Sequence, residues 1–145
     1  MAMLEKSILG IYSKLRMAFY HRIFSELKGR ESSLTATEMF SVDIIESLGR
    51  PTIGEFADFI GASFPGATYK VNALEEKGYL IRVRSETDRR ESYLELTKKY
   101  YDYARLNDQD ITEIIKRIEA EFTEDELELL HRMMDLFEKE LDSDN

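Results

Sequence analysis

The stretch RVRSETDRRESYLELT, residues 82–97, sets a polar run, SETDRR, between segments rich in β-branched and aromatic side chains. Tyr79, Ile81 and Val83 lead into it and Tyr93, Leu94 and Leu96 follow, the composition of paired strands closed by a turn. The turn carries no glycine and ends on Arg89 and Arg90. Charged turns are ordinary, and the plain reading of an isolated hairpin is a solvated loop in which Asp88 pairs with Arg90. Adjacent guanidinium forks on a protruding loop also suit phosphate oxygens and base edges, which planar donors meet in pairs. The flanking sequence decides between the two readings.

Upstream, the signal T-x-x-E occurs at Thr35/Glu38 and Thr52/Glu55, and again downstream at Thr123/Glu126. In each, the threonine oxygen accepts from the amide three residues on while the glutamate reaches back, so each predicts a helix start. The helix after Thr35 is expected to run to about Leu48 and end at Gly49, with Pro51 as a stop; the short helix after Thr52 ends at Gly61. The next segment, SFPGATYKVNALEEKGYL, puts Pro65 in a first helical turn and Gly78 just past the end. Ala67, Val71 and Leu74 share one face of that helix, while Gly66, Thr68 or Tyr69, Asn72 and Ala73 form a small, hydrogen-bonding outer face. A short helix, a tight break and a helix with such a face make a helix-turn-helix, whose second member enters a DNA major groove.

Long amphipathic helices flank this middle part. The first carries Leu4, Ile8, Ile11, Leu15, Ala18, Phe19, Ile23 and Leu27 and is expected to stop near Gly29. After Thr97 a helix carries Tyr100, Tyr103 or Ala104, Ile111, Ile114, Ile115, Ile118 and Phe122. The last has Leu127, Leu130, Met134, Phe137 and Leu141, a seam that helices use to pack along one another. Such seams suit either ordinary core or pairing with a second copy. There is no internal repeat and no low-complexity stretch.

The order of elements resembles the MarR family of bacterial transcriptional regulators over essentially the whole chain. The most specific match is LEEKGYLIRVRSETDRRESYLELT, residues 74–97: a leucine, a charged run, glycine, a strand, an Asp-x-Arg tip, a strand and a final Leu-Thr. PTIGEFADFIGASFPGATYKVNAL, residues 51–74, is similar to the family's paired helices. The resemblance implies a mainly α winged helix-turn-helix with a two-stranded β wing. Residues 1–30 and 100–145 become dimerisation helices and 33–99 the DNA-binding part of a single domain.

It further implies a homodimeric, sequence-specific regulator, expected to be a repressor, on double-stranded DNA. The arginine matching Arg90 enters a minor groove, where A·T-rich sequence concentrates negative potential, and the aspartate matching Asp88 holds the wing. Arg84 and Arg89 reach flanking phosphates. Direct major-groove readout is expected from Pro65, Gly66, Thr68, Tyr69 and Asn72, with Ser63 and Lys70 as further DNA-binding candidates. Tyr69 and Ala73 stand where family members often carry arginine, and Lys70 where many carry an apolar residue, so readout is expected to favour methyl and hydroxyl contacts over guanine-directed arginine forks. The operator expected is an A·T-rich inverted repeat with half-sites roughly 34 Å apart.

Members of the family often hold small aromatic or lipophilic effectors, and Tyr12, Arg16, Phe19, Tyr20, Phe24 and Phe40 are candidates to line such a pocket. The same aromatics also suit plain packing. Alternatives are a winged-helix protein-interaction module without DNA binding, or a metal-responsive regulator built on His21 and His131 with nearby acids.

Bulk properties fit this frame. The 145 residues suffice for one domain with a proper core, and 34% of them are charged. With no cysteine, disulfides and thiolate chemistry are excluded, and no G-x-S-x-G or phosphate-cradling glycine loop points to an enzyme. No cofactor and no metal are expected. No apolar run reaches the ~20 residues of a bilayer span, so neither membrane insertion nor export is expected and the predicted location is the cytoplasm.

The net charge of −9 opposes contact with nucleic acid only if it is spread evenly. Residues 65–99 hold eight bases and six acids, whereas residues 100–145 hold five bases and fifteen acids. The acidity is therefore concentrated away from the segment expected to meet DNA.

Overall fold

A computed structural model describes residues 2–28 and 34–143. The elements are α1 (Met3–Lys28), α2 (Ala36–Leu48), α3 (Ile53–Ile60), α4 (Phe64–Glu76), β1 (Leu80–Arg84), β2 (Ser92–Leu96), α5 (Lys98–Glu119) and α6 (Glu124–Ser143). The fold is mainly helical, with a two-stranded antiparallel sheet following a helix-turn-helix. The expected stop of α1 at Gly29 and the side chain of Leu27 lie outside the described residues.

The helix starts sit where the threonines put them. At Thr35 the hydroxyl accepts from the Glu38 amide while Glu38 Oε2 accepts from the Thr35 amide at 2.8 Å. Thr123 and Glu126 repeat the exchange, and the two hydrogen bonds from Thr123 hold the Glu126 carboxyl below its ordinary pKa. At Thr52 the hydroxyl accepts from the Glu55 amide at 3.1 Å, and the Thr52 backbone also bridges to Tyr93 of β2. That bridge, supported by a hydrogen bond from the Leu94 amide to the Pro51 carbonyl, seats the start of α3 against the hairpin. It was not foreseen, because a one-residue bridge leaves no periodicity.

Gly49 and Gly61 end their helices in the left-handed conformation. α5 ends at Glu119, three residues before the expected Phe122, because residues 120–122 turn to present Thr123 as the cap of α6.

The core forms where these elements converge. Met39, Val42 and Ile45 of α2, Phe56 of α3, Ala67, Val71 and Leu74 of α4, Leu80 and Leu94 of the hairpin are all nearly inaccessible to solvent. Apart from Ala67, burying side chains of this size contributes about 1.5–3 kcal/mol each. The face of α4 read from the sequence is the face that is buried. Ile23 of α1 and Tyr100 of α5 are buried as well.

Two compact units can be described separately, residues 1–101 and residues 102–145. In the second, α6 buries no residue, and Ile114, Ile118, Leu130, Met134 and Phe137 stand exposed.

Candidate nucleic-acid interface

The wing is built around Ser85, a buried polar residue that the sequence reading passed over. Its Oγ accepts from the amides of Thr87 and Asp88 at 3.3 and 3.2 Å, and its own amide donates to the Glu91 carbonyl. Asp88 Oδ1 then accepts from the Arg90 amide at 2.9 Å. Asp88 thus holds the backbone of the tip rather than the Arg90 guanidinium, which answers the local-pair reading of the hairpin. Among the described residues no carboxylate stands within ion-pair distance of Arg84, Arg89 or Arg90, and all three are exposed. Cations without a carboxylate partner on this hydrogen-bonded tip are left open to an outside anion.

α4 lies beside the wing and is capped by Ser63, whose Oγ accepts from the Gly66 amide at 3.1 Å. A Cβ at Gly66 would sit 3.1 Å from that same oxygen, so glycine keeps the cap tight. Both groups are therefore occupied within the helix start. Tyr69 is 78% exposed, and Pro65 is exposed with it on the outer surface. Lys70 is half-buried. The Thr68 hydroxyl is enclosed, with no hydrogen-bond partner among the described residues, so that oxygen is not presented outward. Asn72 is exposed, but its Oδ1 accepts from Arg82 Nη2.

Arg82, one of the eight bases of residues 65–99, takes a role that its place in the sequence does not reveal. In the register of the hairpin it faces Leu94, on the same side of the sheet as buried Leu80. An apolar residue is the expectation there. Instead the guanidinium spans to α4, with Nε 3.4 Å from Glu75 Oε2 and Nη2 on Asn72.

The end of α4 is fixed from two directions. Lys77 Nζ pairs with Glu38 Oε2 of α2 at 2.6 Å, and Lys99 Nζ donates to the Lys77 carbonyl at 2.7 Å. The Thr97 hydroxyl donates to the Gly78 carbonyl at 2.6 Å, so the loop between helix and wing is pinned as well.

Among the described residues, Phe19 and Phe40 of the proposed effector residues share a groove. Phe19 stacks on Phe40 with centroids 5.8 Å apart and meets Tyr20 edge-on at 5.9 Å. Arg16 lies over the Tyr12 ring at 5.2 Å on the exposed side of α1, and Phe24 is exposed. A groove of about 460 Å³ does contain Phe19 and Phe40, but its other walls are Ile44, Leu48 and Phe59, with Asp43 and Ser47 as polar groups. Asp43 is already engaged, since its Oδ2 lies 2.7 Å from Arg22 Nη2. Of the histidines, His21 contacts Ser25 and His131 stands 3.6 Å from Asp135.

Comparison with known proteins agrees with this geometry. Residues 34–92, the span from the cap of α2 to the start of β2, match the model of the MarR family. An uncharacterized HTH-type transcriptional regulator of Bacillus subtilis (strain 168), YcgE, is 28% identical over 145 residues, covering 96% of this chain and 92% of that protein. FabT of Streptococcus pneumoniae, solved in complex with DNA, is similar with a TM-score of 0.63 at 23% identity, over 98% of this chain and 99% of that one. The adhesin competence repressor AdcR of Streptococcus pyogenes gives a TM-score of 0.53 at 22% identity, over 97% and 98% of the two chains. At these identities the structural likeness is one of fold. No helix of the described residues is long and apolar enough to cross a membrane.

Proposed function

We propose that this chain, whose residues 34–92 match the MarR family model, acts as a homodimeric repressor on an A·T-rich inverted repeat, relieved by a small lipophilic or aromatic ligand. The observation that carries the DNA-binding reading is the wing: Arg89 and Arg90 sit exposed on a tip ordered by Ser85 and Asp88, with no carboxylate paired to either among the described residues. Arg90 enters the minor groove, Arg84 and Arg89 meet phosphates, and Pro65, Tyr69, Lys70 and Asn72 of α4 face the major groove. Ser63, Gly66, Thr68 and Asp88 contribute by shaping these elements rather than by presenting a free side-chain group.

Dimer formation is supported by the open apolar faces of α1 and of α5 and α6, where Leu4, Ile11, Leu15, Ile114, Leu130 and Phe137 are all exposed. Exposed apolar rows at helical spacing are the usual mark of an unfilled protein interface. Two copies set half-sites one helical turn apart, which fits an inverted repeat. The effector reading rests on the groove between Phe19, Phe40 and Phe59, whose volume and apolar walls suit a small lipophilic molecule.

Fluorescence anisotropy with a labelled A·T-rich duplex at low salt tests the core of the proposal. Saturable binding that weakens steeply with added salt is expected, and absence of affinity for any duplex at low salt refutes it. Thermal stabilisation by aromatic carboxylates or fatty acyl compounds tests the effector reading separately.

A further inference from the structure

We infer that Arg82 is a positioning residue for base readout: by holding Asn72 Oδ1 inward it leaves Asn72 Nδ2 as the group shown to the major groove, biasing that position toward guanine over adenine. This rests on the proposed DNA-binding reading and adds a specific chemistry to it.

The register of the hairpin forces the arrangement. Residues opposite one another in an antiparallel pair share a face of the sheet, and Arg82 stands opposite buried Leu94. Its side chain therefore leaves the sheet on the side where α4 packs, and finds Glu75 and Asn72 one turn apart on that helix. Nη2 donates to the Asn72 amide oxygen, while the Glu75 carboxylate lies 3.4 Å from Nε as an ion pair that makes no hydrogen bond, leaving Nε buried without an acceptor among the described residues. Its charge is matched by Glu75, so Arg82 is not free for phosphate.

The consequence for Asn72 is chemical. A free asparagine pairs with adenine by donating from Nδ2 to N7 while Oδ1 accepts from N6. A guanidinium donor on Oδ1 turns that oxygen away, since an arginine has no acceptor to offer the amide nitrogen instead. What remains outward is an amide nitrogen with two hydrogens, which guanine meets with acceptors at both N7 and O6 and cytosine meets only with a donor. Guanine is then favoured and cytosine rejected, and adenine loses the paired bond it ordinarily makes.

In-vitro selection from a randomised duplex library with full-length protein tests this, the operator position read by Asn72 being the one whose preference disappears in Asn72→Ala. Guanine is expected there for the native sequence. In Arg82→Ala the guanine-to-adenine ratio should fall roughly two- to tenfold, the worth of one hydrogen bond, with the salt dependence of binding unchanged. Arg82→Lys, which keeps a cation beside Glu75 but lacks the second arm, should show the same fall and covers the case in which the alanine variant does not fold. The inference is overturned if adenine is already preferred in the native protein, if no position depends on Asn72, or if Arg82→Ala weakens every sequence alike and lowers the salt slope by about one, the signature of a phosphate contact. Selection of no duplex by the native protein would instead refute the DNA-binding proposal and this inference with it.

Discussion

Lys77 Nζ stands 2.6 Å from Glu38 Oε2, so the last turn of α4 is tied to the first turn of α2. The same carboxylate oxygen accepts from the Thr35 amide at 2.8 Å, which makes one atom serve both a helix cap and a link between helices. Burial raises the Glu38 pKa, but the Lys77 and Thr35 hydrogen bonds and the Lys77 charge outweigh it, and the net position is below the ordinary glutamate value.

A carboxylate whose pKa is depressed by folding stabilises the native state above its unfolded pKa, and that contribution is lost as pH falls through the folded value. Glu38→Ala should therefore cost about 1–2 kcal/mol near neutral pH, combining a lost cap and a partly exposed ion pair. Glu38→Gln should cost less, because the amide oxygen still accepts from Thr35. Urea unfolding followed with pH should show the gap between Glu38→Gln and the native protein closing below the ordinary glutamate pKa of about 4.3. A gap that stays constant into that range would show that the Glu38 charge contributes nothing.

The wing tip makes a prediction about order rather than stability. Asp88 is exposed, so Asp88→Ala should change unfolding free energy by no more than about 0.5 kcal/mol. It removes the acceptor for the Arg90 amide, however, and frees a loop that carries both tip arginines. Hydrogen exchange at the Arg90 amide should accelerate and duplex affinity should drop, while Asp88→Asn, which keeps an acceptor oxygen, restores both. Equal affinity for the alanine and asparagine variants would show that the charge of Asp88, and not its hydrogen bond, is what matters.

α4 was legible from the sequence because several independent signals agreed on it: a proline in the first turn, a glycine after the end, and Ala67, Val71 and Leu74 at helical spacing. Capping is local chemistry, and so is the Asp88 turn; both are readable over a few residues. Arg82 was not legible, since its partners lie on another element and its place in the hairpin predicts an apolar side chain. The groove was half legible for a similar reason. Spacing along α1 singles out aromatics on that helix, but among the described residues it is Phe19 that stacks on Phe40 across the gap, and Ile44, Leu48 and Phe59 join only when α2 and α3 pack.

The two tip arginines should separate by their salt dependence. Arg89 is assigned to a phosphate, so Arg89→Ala should flatten the plot of log affinity against log salt by about 0.9 and weaken all duplexes alike. Arg90 is assigned to a narrow minor groove, so Arg90→Ala should weaken an A·T-rich site more than a G·C-rich one of equal length. Anisotropy titrations at several salt concentrations on both duplexes read the two effects together. An Arg90→Ala loss that is the same for both duplexes would reduce its role to charge alone.

Dimer formation has its own test in α5 and α6. Phe137 and Ile114 are exposed within a unit whose final helix buries nothing, a state that leaves apolar surface in water unless a second copy covers it. In a two-fold interface each substitution acts twice, so Phe137→Glu removes two buried rings and adds two charges. At about 1.5–3 kcal/mol for each buried ring, the dimer dissociation constant should rise at least about 100-fold. Sedimentation velocity should then find monomer at concentrations where the native chain is dimeric. Duplex affinity should fall with it, because a single reading head loses the second half-site. Far-UV circular dichroism should stay close to native, since Phe137 contributes to no core among the described residues. A Phe137→Glu protein that remains dimeric and binds normally would move the interface away from this face of α6.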